Sequence, residues 1–259
     1  MSGVASEALP GEAERPNNSP EVWIYALGAI GLGLTGIMFR DFALQWQPVP
    51  AIFPMRAAVA VIIGVGMCTT GLVLLVPRLT LVAAAVAATF DVGWWVVLML
   101  PRVVREPSSL VAWLGLAEIG VIAAGAIMIV ATFTSRDRLA SYTRMFVGGC
   151  ALIFGLSHFV YPSFTAAMVP GWLPAPLAWA YATGAGHVLA GLALVSGIKA
   201  RLAATLLAAM CGSFVVLLHL PRVVAAPTVH AEWVMLFIAL SISGASAMMR
   251  YAGDSIARH

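Results

Sequence analysis

Eight long apolar stretches constrain this chain more than any other feature. A helix of about 20 largely apolar residues is long enough to span the hydrocarbon core of a bilayer. The stretches cover residues of about 22–39, 55–76, 79–100, 109–133, 145–161, 176–197, 202–220 and 233–249. Hydrophobic residues make up 61% of the chain and charged residues 10%, against about 45–50% and 25% in soluble domains. The sequence therefore predicts an all-α, polytopic integral membrane protein with eight transmembrane helices.

Charge and cysteine content exclude several functional classes. The net charge of +3 is small and its contributing residues are scattered, so no basic face is expected to bind nucleic acid. The three cysteines all lie inside apolar stretches, which argues against a disulfide framework. The chain has no G-x-S-x-G, no phosphate loop and no C-x-x-C-H motif, so nucleophilic catalysis and covalent haem attachment are not expected.

The distribution of lysine and arginine predicts an orientation. With eight helices both termini lie on one side, and that side carries nine of the fourteen basic residues against five on the other. Basic residues accumulate on the cytoplasmic side. We therefore expect a bacterial-type inner membrane protein whose partner is the lipid bilayer, with cytoplasmic tails at 1–21, predicted to be disordered, and at 251–259.

An internal repeat divides the chain. The sequence LPRVV occurs at 100–104 and again at 220–224, an offset of 120 residues that also pairs Gly71 with Gly191 and Trp113 with Trp233. This register predicts two parallel four-helix repeats, 22–133 and 142–250, related by an axis along the membrane normal. The long loops 40–54 and 161–176 are expected to fold over the outer mouths of their own repeats.

Part of the second repeat resembles the DoxX-like family. A small-residue helix ends in His158-Phe159, a P-x-x-x-P loop follows at 170–174, and a glycine-rich helix carries His187. The next helix ends in His219-Leu220-Pro221. The resemblance implies a four-helix membrane bundle, of which this chain would be a tandem version. It also implies a setting of membrane redox chemistry, such as thiosulfate oxidation coupled to quinone.

Three histidines in the second repeat are candidate ligands. Ionisable residues inside membrane helices are costly and often functional, and we place His158, His187 and His219 in the outer half of their repeat. At the 120-residue offset their counterparts are Met38, Met67 and Met99. Imidazole suits zinc, copper and iron, thioether suits copper(I), and haem iron accepts both. We expect a metal or haem site in the second repeat and a degenerate one in the first. Alternatively, each histidine bonds a backbone carbonyl separately and the methionines fill space.

Two further groups of polar residues are candidate functional sites. Asp91 and Glu118 are expected at equal depth, where two close carboxylates do not both ionise readily, so they could relay a proton. The alternative is that each bonds a neighbouring serine, threonine or backbone group. Arg102 and Arg222 occupy the repeated LPRVV motif, with His230 and Glu232 near the second. They could bind an anion or a quinone, or could extend to lipid headgroups.

These patterns leave three functional hypotheses and name no catalytic residue. The first is a membrane redox-associated subunit of DoxX-like type that binds a metal such as copper, a haem or a quinone near the outer leaflet. It would work with a partner oxidoreductase or another redox subunit. The second is a proton-coupled transporter of a small molecule or an ion. The third is a structural membrane anchor.

Overall fold

The computed structural model describes residues 19–252. Within that range eight helices are long and apolar enough to span a membrane, and no strand is present. They are α1 (Pro20–Phe39), α2 (Arg56–Leu74), α3 (Thr80–Arg105), α4 (Leu110–Phe133), α5 (Asp137–Val160), α6 (Pro176–Ser196), α7 (Ala200–Ala225) and α8 (His230–Ala252). A short helix, Pro162–Met168, lies between α5 and α6. The predicted all-α, multi-pass membrane fold is confirmed.

The two predicted tails lie almost entirely outside the described residues. Where they overlap with the structure, the prediction was wrong, because α1 begins at Pro20 and α8 ends at Ala252. Glu21 is buried and pairs with Arg250, and it also accepts a hydrogen bond of 3.3 Å from the Tyr251 hydroxyl. These contacts fasten the start of the first helix to the end of the last one.

Helices α3 and α7 each contain a π-helical turn, Trp95–Met99 and Val215–His219. Each turn directly precedes an LPRVV motif, whose proline lacks an N–H group and crowds the carbonyl four residues earlier. A π turn loosens the helix at this point, and both helices continue through Pro101 and Pro221. The predicted helix ends at residues 100 and 220 were therefore too early.

Helix α5 begins eight residues before the predicted start at 145, at Asp137. Arginines between 136 and 144 led to the late prediction, because they lower the local hydropathy. Arg144 is nevertheless buried, and its Nη1 donates to the carbonyl oxygen of Leu194 in the last turn of α6. A guanidinium is favourable there, because carbonyl groups at the end of a helix lack partners within the helix.

The helices pack as a ring in chain order, and α8 closes the ring against α1. Helices α4 and α8 also contact each other across the middle and are the most buried of the eight described spans. We call α1–α4 the first half and α5–α8 the second half. The first helix of each half packs along the last helix of the other, α1 on α8 and α5 on α4. The two halves are therefore interlocked.

Three of the four pairs of equivalent helices begin at positions 120 residues apart. Helix α3 begins at Thr80 and α7 at Ala200, while α4 begins at Leu110 and α8 at His230. The π turns follow the same offset. The common register agrees with the repeat found in the sequence, and the symmetry axis that would relate the halves stays a prediction.

Glycines let the first two helices of each half approach closely. A Cβ atom added at Gly64 would lie 2.6 Å from the carbonyl oxygen of Gly33, and one added at Gly191 would lie 2.8 Å from that of Gly148. Small residues at such crossings permit backbone-to-backbone packing, which drives helix association in membranes. These contacts hold α1 against α2 and α5 against α6.

Candidate functional site

The loop between α1 and α2 folds into the first half, as expected. Its 3₁₀ turn, Leu44–Trp46, carries the buried Trp46 side chain, whose Nε1 donates to Glu118 Oε2 of α4 at 2.6 Å. Gln47 follows, and its side-chain oxygen accepts a 2.8 Å hydrogen bond from the backbone N–H of Ala43. We call residues 40–55 the cap loop.

An ion pair fastens the base of the cap loop. Arg56, the first residue of α2, pairs with Asp41 at 2.6 Å and donates to the carbonyl oxygen of Val49 at 2.5 Å. The same guanidinium lies 5.1 Å from the centroid of the Phe42 ring, within range of a cation–π contact. The cap loop is thus held at both ends and has Trp46 as its contact with α4.

The corresponding loop of the second half lies against α6 without burying its side chains. Phe164 and Trp172 are each 69% exposed, and no residue of the short helix Pro162–Met168 is buried. This loop has no buried side chain that matches Trp46. The reason lies in the sequence, because Ala166 occupies the position equivalent to Trp46 and has no side chain that could reach into the helices.

Asp91 of α3 is bound by a tyrosine of α1. The Tyr25 hydroxyl lies 3.2 Å from Asp91 Oδ2 and 3.0 Å from the carbonyl oxygen of Ile122 in α4. A phenol has one proton to donate, so it donates either to the carboxylate or to the carbonyl. When it donates to the carbonyl, its oxygen is able to accept a proton from a neutral Asp91. The arrangement therefore links the protonation state of Asp91 to a contact among three helices.

A cavity of about 30 Å³ lies beside Asp91, underneath the cap loop. Such a volume holds about one or two water molecules. Trp46 and Gln47 of the cap loop, Met67 of α2, and Phe90 and Trp94 of α3 contribute to its wall. Among the described residues that line it, Asp91 alone carries a charge. The cavity is lined mainly by apolar and aromatic groups around one carboxyl.

Asp91 and Glu118, predicted as a proton-sharing pair, have separate partners. Tyr25 binds the first and Trp46 binds the second, and no hydrogen bond joins the two carboxyls within residues 19–252. The partners are aromatic donors instead of the serine, threonine or backbone groups considered above. Sequence reasoning missed both donors, although buried tyrosine and tryptophan side chains usually bond a polar group.

Two of the three candidate histidines lie together. The rings of His158 and His187 have centroids 5.2 Å apart. His158 Nδ1 lies 2.9 Å from the carbonyl oxygen of Phe154, which leaves its Nε2 available. His187 is 3% exposed, and its Nδ1 has no hydrogen-bond partner among the described residues. The pair thus offers imidazole nitrogens that the protein does not fully satisfy.

The third histidine does not complete a metal site. In residues 19–252 no three histidine, cysteine, aspartate or glutamate side chains lie close enough to hold a metal ion. His219 is buried at the end of the π turn of α7, three residues before Arg222 and thus on the same helix face. The expected site of His158, His187 and His219 therefore reduces to the first two.

The three methionines do not form a site of their own. Met38 is exposed, Met99 is fully buried, and Met67 lines the cavity beside Asp91. The first half was expected to be the degenerate one, yet the cavity with a carboxyl in its wall lies there. At the equivalent positions of the second half, Asp91 is replaced by Cys211 and Met67 by His187.

The arginines of the repeated motif differ in their surroundings. Arg222 forms two hydrogen bonds of 2.8 Å to Glu232 of α8, so its guanidinium is already engaged by a carboxylate. Ala112 occupies the position equivalent to Glu232 in the first half, so Arg102 has no carboxylate there. His230 stacks on Phe39 of α1, with ring centroids 4.4 Å apart, and joins the two halves.

Comparison with known proteins gives a family match without a known function. Residues 147–230 match a domain of unknown function, DUF8561. That region contains His158, His187 and His219 and ends at the first residue of α8. No curated protein and no solved structure gives a significant match. The resemblance to the DoxX-like family therefore stays a hypothesis.

Proposed function

We propose that this protein is a proton-coupled membrane carrier of a small solute, with its binding site around Asp91 in the first half. One observation carries the proposal. A small cavity has an intramembrane carboxyl in its wall and lies beneath a loop that is bonded to a second intramembrane carboxyl. Ionisable groups inside membrane helices commonly mark solute pathways and proton relays.

Tyr25 gives the carboxyl a means of coupling. With Asp91 ionised, the Tyr25 hydroxyl donates to Asp91 Oδ2, which is 3.2 Å away. With Asp91 neutral, Tyr25 donates to the carbonyl oxygen of Ile122, 3.0 Å away, and accepts from the carboxyl. Proton uptake by Asp91 therefore moves the hydrogen bond donated by the Tyr25 hydroxyl from α3 to α4. This small change biases helix packing between two states.

The cap loop is the gate in this proposal. Its Trp46 side chain forms part of the cavity wall and is fixed by the hydrogen bond to Glu118. Breaking that bond would free the loop above the fixed ion pair of Asp41 and Arg56. The distribution of basic residues favours cytoplasmic termini. In that orientation the gate opens to the outer side of a bacterial-type inner membrane.

Trp46→Ala is expected to open the cavity to water. Loss of a hydrogen bond to a charged group is worth about 1.5–3 kcal/mol, which corresponds to about 10–100-fold in an equilibrium constant. A cysteine at Met67, in a variant whose three native cysteines are replaced by serine, should then react about 10–100-fold faster with a water-soluble maleimide. The measurement is the labelling rate in purified protein.

Trp172→Ala is the matched control for this experiment. It removes an exposed tryptophan from the corresponding loop of the second half, and the labelling rate at position 67 should stay unchanged. If Trp46→Ala and Trp172→Ala give the same rate as the parent, the cap loop does not gate the cavity.

A redox-associated subunit with a metal site is the second candidate function. It is supported by the histidine pair and by the resemblance to DoxX-like proteins, and it would require a partner oxidoreductase. With metal–nitrogen bonds of about 2.0–2.1 Å, two imidazoles on one tetrahedral ion have ring centroids about 5 Å apart, close to the 5.2 Å between His158 and His187. Haem and quinone have no comparable support in the geometry.

The histidine pair predicts a specific pattern of metal loss. If copper or zinc binds, His158→Ala and His187→Ala should each remove most of the metal, and the double variant should add little, because both ligands serve one ion. His219→Ala should keep the metal. The measurement is metal content per protein after dialysis against each ion in turn. Full occupancy in His187→Ala would exclude the pair as a ligand set.

A further inference from the structure

We infer that the solute held at the Asp91 cavity is a compact ammonium-type cation, an inference that rests on the proposed carrier function. The proposal concerns the charge, the aromatic wall and the size of the site. Each of these features is independent of the histidine pair.

The charge of the wall selects for a cation. Asp91 is the charged group among the described lining residues, and its contacting titratable neighbour is Tyr25 of α1, which donates a hydrogen bond without supplying positive charge. An ionised carboxylate in a low-dielectric site is costly unless it is paired. A bound cation supplies the missing charge, whereas an anion or a neutral quinone does not.

The aromatic side chains favour an organic or ammonium cation over a strongly hydrated metal ion. Trp46, Phe90 and Trp94 contribute to the wall, and the Phe90 and Trp94 rings stack with centroids 5.3 Å apart. Ammonium groups are attracted to the faces of such rings, with tryptophan the most favourable. A wall that combines a carboxylate with aromatic side chains is therefore a suitable site for an N–H cation.

The size of the cavity limits the solute. A volume of about 30 Å³ accommodates one or two atoms beyond hydrogen, such as ammonium or methylammonium. A quaternary ammonium of choline size is larger than this volume. The equivalent position of the second half carries no carboxylate, because Cys211 stands at the position of Asp91.

Binding of this cation has a balanced proton exchange. When a protonated amine enters a site in which Asp91 is neutral, the carboxyl proton leaves to the solvent and the carboxylate pairs with the ammonium group. One positive charge enters and one proton leaves, so the charge in the cavity is conserved.

Methylammonium chloride is the probe that tests the inference. It is added to the purified full-length protein in weakly buffered detergent solution that contains a pH indicator. The expected result is a saturable, stoichiometric release of protons and a change in tryptophan emission, because Trp46 and Trp94 lie in the wall.

Asp91→Asn should give neither signal. Glu106→Gln, which neutralises an exposed acid outside the spans, should respond like the natural protein. Choline chloride should give no response.

The outcomes separate this inference from the carrier proposal. If methylammonium gives no response in protein whose Asp91-dependent proton flux in vesicles is intact, the cation inference is overturned and the carrier proposal stands. A response that persists in Asp91→Asn, or that choline reproduces, also overturns it. An Asp91-dependent response without any proton flux supports the cation site and overturns the carrier proposal.

Discussion

Leucine in place of Gly64 is expected to remove most of the folded protein. A Cβ atom at this position would lie 2.6 Å from the carbonyl oxygen of Gly33, which is backbone of α1 and has no rotamer by which to move away. Overpacking inside a protein costs about 1–3 kcal/mol and occasionally more. A leucine at this crossing should exceed that range, because α1 would have to separate from α2.

Gly66→Leu is the control, because it makes the same change two residues further along α2. No atom lies within 4 Å of a Cβ added at Gly66, and leucine is favourable both in a helix and toward lipid. The measurement is the unfolding temperature and the monodisperse fraction in detergent. We expect Gly66→Leu to match the natural protein. Equal behaviour of the two variants would contradict the close crossing of α1 and α2.

The spans of this fold were predictable because they depend on local composition. Each of the eight helices of the described range overlaps an apolar stretch of the sequence. The errors at helix ends have local causes that hydropathy does not contain. Helices α3 and α7 pass Pro101 and Pro221 by means of a π turn, and α5 includes Arg144 because a carbonyl of α6 receives its guanidinium.

The arrangement of the helices was less predictable. The 120-residue offset suggested two bundles, yet it carries no information on which faces meet, and α1 packs along α8 of the other half. The same limitation explains why the sequence did not show which of the three histidines meet. Depth along a helix places His158, His187 and His219 at comparable levels, but the rotation of each helix about its own axis decides whether the rings meet. The structure brings His158 and His187 together.

The acidic residues were predictable, whereas their partners were not. Asp91 and Glu118 stand out in apolar helices, but Tyr25 and Trp46 lie 66 and 72 residues away from them in the chain. Aromatic residues are also common at membrane interfaces, so neither suggested a hydrogen bond by its position. A comparison of the two halves could have singled out Trp46 and Asp91, since Ala166 and Cys211 stand at the equivalent positions of the second half.

Asp91→Asn is expected to abolish proton movement through the protein. The substitution preserves the size of the side chain and keeps an acceptor for Tyr25, which lies 3.2 Å from the carboxyl, but it removes the group that takes up and releases a proton. Loss of a proton-transferring side chain typically costs about 10²–10⁴ in rate. Tyr25→Phe should retain part of the flux, because the carboxyl remains while its coupling to α1 is lost.

Proton flux into vesicles measures this directly. The purified protein is reconstituted into liposomes that contain a fluorescent pH indicator, and a potassium diffusion potential, negative inside, drives proton entry. The natural protein and Glu106→Gln should acidify the interior faster than protein-free liposomes do, and Asp91→Asn should fall to the protein-free rate. Acidification by Asp91→Asn at the rate of the natural protein would contradict the assignment of Asp91 as the proton-carrying group of the site.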